Sequence, residues 1–340
     1  MVHATRWQDP IVLGHWGMED DFTAFVTAAG LLEFSRHPRE TFQEISRQFL
    51  STFRFEGPDN YKNSKKSKPS TPTFVIKFSM RNTRFVMSLE EFCKAIRVEN
   101  MGSWDETCAD TNRELVTFWR SICMNVPERL NRGKFTHIQH PALRYFALFL
   151  ERGFLARDNT SSCTGPMVYL LKCAKEGTPC QYNLGVILAR SLHLAVSRNI
   201  TDDTPIFSGA IATLVYEHIK EERGFDDNIG TVVGGSNLLD FCLTSRMEMS
   251  ERYEDHYLYF YNSSNGQRVS IRLPRTNVFD RHNEKWIVEE AQPQEEPQNQ
   301  APQGYPWGFH EPQLGGYQRQ DPSFFQGGSS SGGYNYHPGY

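Results

Sequence analysis

The chain has 340 residues, 39% of them hydrophobic, and a formal net charge of −4. That length supplies one or two domains with a buried core. Residues 291–340 carry a net −3 and leave the rest at −1, which excludes a global basic field of the kind that marks a strong polyanion binder.

In chain order, "DPIVLGHWGMEDDF" places apolar residues soon after Met1, which reads as a start inside a longer parent protein. "HPRETFQEISRQFLSTF" predicts a helix with Pro38 near its first turn and Phe42, Ile45, Phe49, Leu50 and Phe53 on one face. A polar basic loop comes next at 56–73, with Lys62, Lys65, Lys66 and Lys68 beside Tyr61. Val75–Phe78 and Arg84–Met87 read as short strands around an Arg81-Asn82-Thr83 turn, and Ser88 with Glu91 forms a capping box that opens a short helix. Thr111 and Glu114 offer a second box before "LVTFWRSICM".

Further helices are predicted to begin at Pro141, at Pro166 with a stop at Gly177, over "YNLGVILARSLHLAVSRN", and at Pro205 with a stop at Gly224. The Gly-rich "GTVVGGSNLLD" reads as a loop before a helix capped near Ser236 or Asn237. "YLYFY", "NSSNG" and "QRVSIRLP" predict a late hairpin. From Ala291 the chain is Gln, Pro, Gly, Ser and Tyr with Leu314 as its one branched aliphatic residue, a composition that predicts disorder. Tail aromatics such as Tyr305, Trp307 and Phe324, spaced by polar residues, are candidates for weak multivalent self-association.

The expected fold is therefore mainly α. It is a multi-helix globular domain with a small β-hairpin/helix unit at about 73–97 and a late hairpin at about 256–273, then a disordered tail. The expected organisation is an N-terminal helical segment at 1–55, continuous with the next region, then the basic loop at 56–73, a helical domain at 74–288 and the tail at 289–340.

Motifs for catalysis are missing from the sequence: G-x-S-x-G, H-E-x-x-H and the phosphate-binding G-x-x-x-x-G-K-[ST] do not occur. Seven cysteines without a C-x-x-C pair, and no leader segment, read as reduced thiols in a cytoplasmic or nuclear protein. Cys163, Cys173 and Cys180 lie near His193 in sequence, yet their aliphatic neighbours favour inert thiols. His137 and His140 lie three apart, but a residue before proline is pushed out of helical geometry. The pair therefore straddles a helix start and offers no zinc spacing. Behind it, Leu143, Phe146, Leu150 and Phe154 form one apolar helix face, with Arg144 and Arg152 on an expected solvated edge.

Four stretches together carry a family resemblance: "HPRETFQEISRQFLSTFRFE", "FVIKFSMRNTRFVMSLEEFCKAI", "FTHIQHPALRYFALFLERGFLARDN" and "YLLKCAKEGTPCQYNLGVILARSLH". Over roughly Asp9 to Leu243 the chain resembles the first-open-reading-frame (gag-region) protein of plant Athila-type retrotransposons. The resemblance implies a gag-like structural protein rather than an enzyme, with no catalytic residues and no cofactor. It lacks the zinc knuckle of many gag proteins, since no C-x-x-C occurs. The expected partners are other copies of the chain and RNA or DNA, with no membrane and no small-molecule substrate. Lys62, Lys65, Lys66, Lys68, Arg144 and Arg152 are the candidate nucleic-acid contacts. The alternative reading is a plant nuclear regulatory module domesticated from such an element.

Overall fold

A histidine followed by a proline sets the centre of the molecule. In the computed structural model, residues 2–57, 74–104, 112–123, 134–155, 163–197, 208–226, 229–253, 256–262 and 266–274 are described, with the backbone of 279–280 and 285–286. His140 is extended (φ −79°, ψ 115°) and caps helix α7, Pro141–Phe149; its Nδ1 accepts from the Leu143 N–H at 3.3 Å. Pro141 then occupies the first turn, where a missing N–H costs nothing. All nine residues of α7 are buried, and the helix continues as a π-helical turn, Leu150–Phe154. Gly153 in that turn lets another segment come close: a Cβ there would lie 2.6 Å from the Arg6 carbonyl oxygen.

The chain before and after α7 wraps it. Asp9 caps α1 (Pro10–Trp16) by accepting from Ile11 N–H, and α2 (Glu19–Ala28) and α3 (Leu32–Ser35) come after it. Phe22 of α2 meets Tyr145, Phe146 and Phe149 edge-on at 5.5–6.1 Å, geometry that aromatic quadrupoles favour. Helix α8 (Gly165–Glu176) packs on both α2 and α7 and ends where Gly177 turns left-handed. Helix α9 (Leu184–Ser197) is capped by Asn183, whose Oδ1 accepts from Val186 N–H while its amide donates to Asn100. Helix α10 (Gly209–Arg223) ends at left-handed Gly224. The expected start at Pro205 lies outside the described residues.

Two antiparallel sheets flank this helical body. The first orders β1 (Arg54–Glu56), β2 (Val75–Met80) and β3 (Thr83–Ser88). Arg81 and Asn82, at φ 51° and 58°, make the two-residue turn of its hairpin. Ser88 and Glu91 close the capping box of α5 (Leu89–Ala95) in both directions. The inner face of the sheet, including Ile76, Phe78 and Met87, is buried, and the sheet packs on α4 (Gln43–Thr52) and α5. The second sheet orders β4 (Ser250–Tyr253), β5 (His256–Asn262) and β6 (Arg268–Leu273). Helix α6 (Asn112–Ile122) lies on α8; Thr111 of its expected capping box lies outside the described residues.

The mainly α reading holds at this level: eleven α-helices and two three-stranded sheets are present among the described residues. Each expected hairpin gains a third strand, β1 or β4. Three local readings change. Helix α4 begins at Gln43, five residues past Pro38, because Thr41 and Phe42 are held extended against the segment 231–233. The Gly-rich segment serves as a strap, since Trp7 pairs with Asn237 and Leu239 while Thr41 accepts from Val233 N–H. The helix after it, α11 (Phe241–Arg246), is capped by Asp240 rather than by Ser236 or Asn237. By internal contact the chain divides into 1–290 and 291–340. The tail aromatics and the disorder expected there lie outside the described residues.

Candidate nucleic-acid interface

Strand alternation builds the site. Side chains along a strand point to opposite faces in turn. The register pairs Arg54 with Lys77, Lys77 with Val86, and Ser79 with Arg84. With Ile76, Phe78 and Phe85 turned inward, Arg54, Lys77, Ser79 and Arg84 share the outward face, and Val86 beside them is 72% exposed. A groove of about 520 Å³ runs over this face, floored by these residues with Ser51 and Thr52 at its rim. Thr52 fixes the rim: its hydroxyl donates to Gln48 O at 2.6 Å and accepts from Ser79 N–H at 2.7 Å.

The charges are unequal. Lys77 Nζ donates to both oxygens of Glu56 at 2.7 and 2.8 Å, and Arg54 donates to the Phe53 carbonyl at 2.7 Å. Arg54, Lys77 and Arg84 are thus three cations against the one carboxylate of Glu56 on this face. Arg81 at the hairpin tip turns aside to Asp226 at 2.8 Å, and its hydrogen bond with Tyr216 raises its pKa further. Exposed pairs of this kind are screened and weak, so a polyphosphate can compete with Glu56 for Lys77.

The segment carrying Lys62, Lys65, Lys66 and Lys68 connects β1 to β2 of this sheet. Those lysines lie outside the described residues, but the loop's anchors are paired, Glu56 to Val75. Phe55 and Phe74 stack at 5.5 Å across the loop mouth, and Gly57 is needed there because a Cβ would meet the Phe74 ring at 2.7 Å.

Arg144 departs from the expectation. It is 3% exposed, donates to Phe260 O at 2.7 Å and Met247 O at 3.2 Å, and lies over the Tyr259 ring at 5.7 Å. The second sheet covers the face expected to be solvated, so this guanidinium is a structural fastener and not a surface contact. Arg152 is half-buried on the π-helical turn, where its carbonyl accepts from Arg6 N–H. Neither arginine is part of the β1–β3 face.

The histidines and cysteines are also placed. His140 spends Nδ1 on its cap and sets its ring edge-on to Phe25 at 5.9 Å, while His137 ends a 3-10 turn. Among the described residues, no group of three His, Cys, Asp or Glu is arranged to hold a metal. His193 Nδ1 accepts from Phe55 N–H at 3.5 Å, which ties it to β1. Burial pushes the Cys93 thiol up to about 12, and a hydrogen bond with Cys173, then burial, raises Cys180. These shifts oppose the thiolate that nucleophilic chemistry needs.

Sequence reasoning misses Arg54, Lys77 and Arg84. They are single cations 7 to 30 positions apart, and only strand parity with the correct register collects them.

The described residues thus build a helical body with two small three-stranded sheets, one of which carries cations on its outward face. The family model for the ATHILA ORF-1 family matches residues 1–178, and the chain belongs to that family as the first-open-reading-frame protein of an Athila-type retrotransposon. The matched span contains three of the four stretches that carry the resemblance whole and the start of the fourth, and stops short of the expected limit at Leu243. No curated protein and no solved structure matches the chain.

Proposed function

We propose that this chain is a non-catalytic gag-like structural protein that binds nucleic acid along the outward face of β1–β3 and self-associates through its aromatic tail. The observation that carries the reading is the collection of Arg54, Lys77 and Arg84 on one open groove, on strands joined in sequence by the segment bearing four lysines. Lysine and arginine so arranged displace counterions from a phosphate chain, which supplies affinity without sequence preference. Residues 54–86 carry eight cations against two carboxylates, a net +6, which leaves the rest of residues 1–290 at −7 and confines the attraction to this patch. Support for a non-catalytic role comes from His140, His193, Cys93 and Cys180, which cap a helix, join elements or sit as protonated thiols.

The test is a salt titration with a labelled single-stranded RNA. Arg54→Ser/Arg84→Ser leaves the Glu56–Lys77 pair intact and keeps the fold. It is expected to weaken binding several-fold and to flatten the slope of log affinity against log salt by about 0.7 per lost phosphate contact. Wild-type affinity and slope in this variant would move the interface elsewhere. A wild-type chain that binds no nucleic acid would overturn the reading.

A further inference from the structure

Among the described residues, the second sheet turns one face away from the core. On β5 the odd positions do the packing: Tyr259 is buried and donates to Ile138 O at 2.6 Å, and Tyr257 stacks on Phe241 at 4.5 Å with the rings 4° apart. Arg144 grips the backbone of the same strand from that side. The even positions, His256, Leu258 and Phe260, face the other way and are half-exposed. Leu258 and Phe260 lie outside the packed core.

The chemistry of this face is specific. The exposed Arg268 guanidinium lies 3.7 Å from the centroid of the Phe260 ring, a stacked cation over an aromatic face. The register places Ser270 opposite Phe260 and Asn262 opposite Arg268. At the other end of the strand, Tyr253 is 54% exposed with its ring 5.4 Å from that of His256. Phe260 and His256 are four strand residues apart, about 13 Å. The face therefore offers two ring positions with Leu258 between them. Its edge strand β6 adds the exposed cations Arg268 and Arg272, while the carboxylate of Glu251 lies on the opposite edge strand.

We infer that this open face of β4–β6 is a base-stacking surface for single-stranded RNA, centred on Arg268 over Phe260. The inference rests on the nucleic-acid reading of the β1–β3 groove and adds a second surface to it. Unpaired bases stack on aromatic rings and on guanidinium planes, and cations at the edge take the phosphates. A duplex buries its base faces and cannot use the platform. Ser270 and Asn262 flank the stacked pair and suit a 2′-hydroxyl, which commits the occupant to RNA. The two surfaces divide the work: the β1–β3 groove reads charge, and the β4–β6 face reads exposed bases.

The experiment uses the full chain with labelled oligouridylate, oligothymidylate and duplex DNA of matched length. Phe260→Leu keeps an apolar residue at a half-exposed site, and Arg268→Lys keeps the charge but loses the planar stack. Each is expected to weaken oligouridylate binding about five-fold or more, with unchanged salt slope, melting temperature and duplex affinity. Arg54→Ser/Arg84→Ser flattens the slope instead. Wild-type oligouridylate affinity in both folded sheet-two variants would overturn this inference and leave the β1–β3 reading standing. Equal stacking-dependent loss for oligothymidylate would overturn the commitment to RNA. Should Phe260→Leu melt early, Arg268→Lys alone decides, because its side chain is exposed. Absence of binding by the wild type to every probe would remove both proposals together.

Discussion

Arg144 shows how one side chain can join two layers. Its guanidinium satisfies the carbonyls of Met247 and Phe260 inside the protein. Arg144→Ala would strand both acceptors and open a cavity, an effect of about 3 kcal/mol or more. That is the scale of Phe146→Ala, about 3–5 kcal/mol in a packed core. The exposed Arg54→Ala should cost about 0–1 kcal/mol. Urea melts of the three variants check the order; an Arg144→Ala protein as stable as Arg54→Ala would contradict the buried assignment. Glu91 gives a pH test. The backbone N–H and then the hydroxyl of Ser88 hold its carboxylate below the ordinary value of 4.5. A depressed folded pKa contributes stability above the unfolded value and loses it as pH falls through the folded one. Wild type should exceed Glu91→Gln by about 1 kcal/mol or less at pH 7, given the exposure of the cap, and the gap should close as pH falls through the folded pKa. A gap that widens on acidification would refute the assignment.

At the scale of the element, the start of α9 sets a packing limit. Glycine inside a helix is ordinarily worse than alanine by about 1 kcal/mol. Here a Cβ on Gly185 would fall 2.3 Å from Cys93 Sγ. Gly185→Ala should therefore destabilise by about 1–3 kcal/mol, and Gly185→Ala/Cys93→Ala should be more stable than the two single effects summed. Strict additivity in denaturation would show that the two residues do not meet. The helices on either side, α8 and α10, illustrate what local pattern conveys. Prolines at first turns and glycines at Gly177 and Gly224 mark helices in sequence because their backbone preferences are local. Strands β1 and β4 are not legible that way, since three or four residues carry too little alternation to stand out from a loop. The cap at Asp240 escapes a sequence reading because Ser236 and Asn237 are equally good caps, and pairing with Trp7 holds that stretch extended.

At the scale of the molecule, legibility depends on how many layers a residue must cross. The apolar stripe of α7 is readable, but a helical wheel takes the polar stripe to be wet. The sheet formed by residues 250–273 covers that stripe, more than 100 positions later. The lysines at 62–68 are readable because they are dense in sequence. Arg54, Lys77 and Arg84 are not, because a register brings them together. The groove they line is the central claim, and photo-crosslinking tests it most directly. A thiouridine-bearing single-stranded RNA is cross-linked to the full chain and the adducts are located by peptide mass spectrometry. Adducts are expected within Arg54–Val86, including the segment that carries Lys62, Lys65, Lys66 and Lys68, and are expected to fade as salt rises. Adducts confined to Ala291–Tyr340, with none in Arg54–Val86, would contradict that claim.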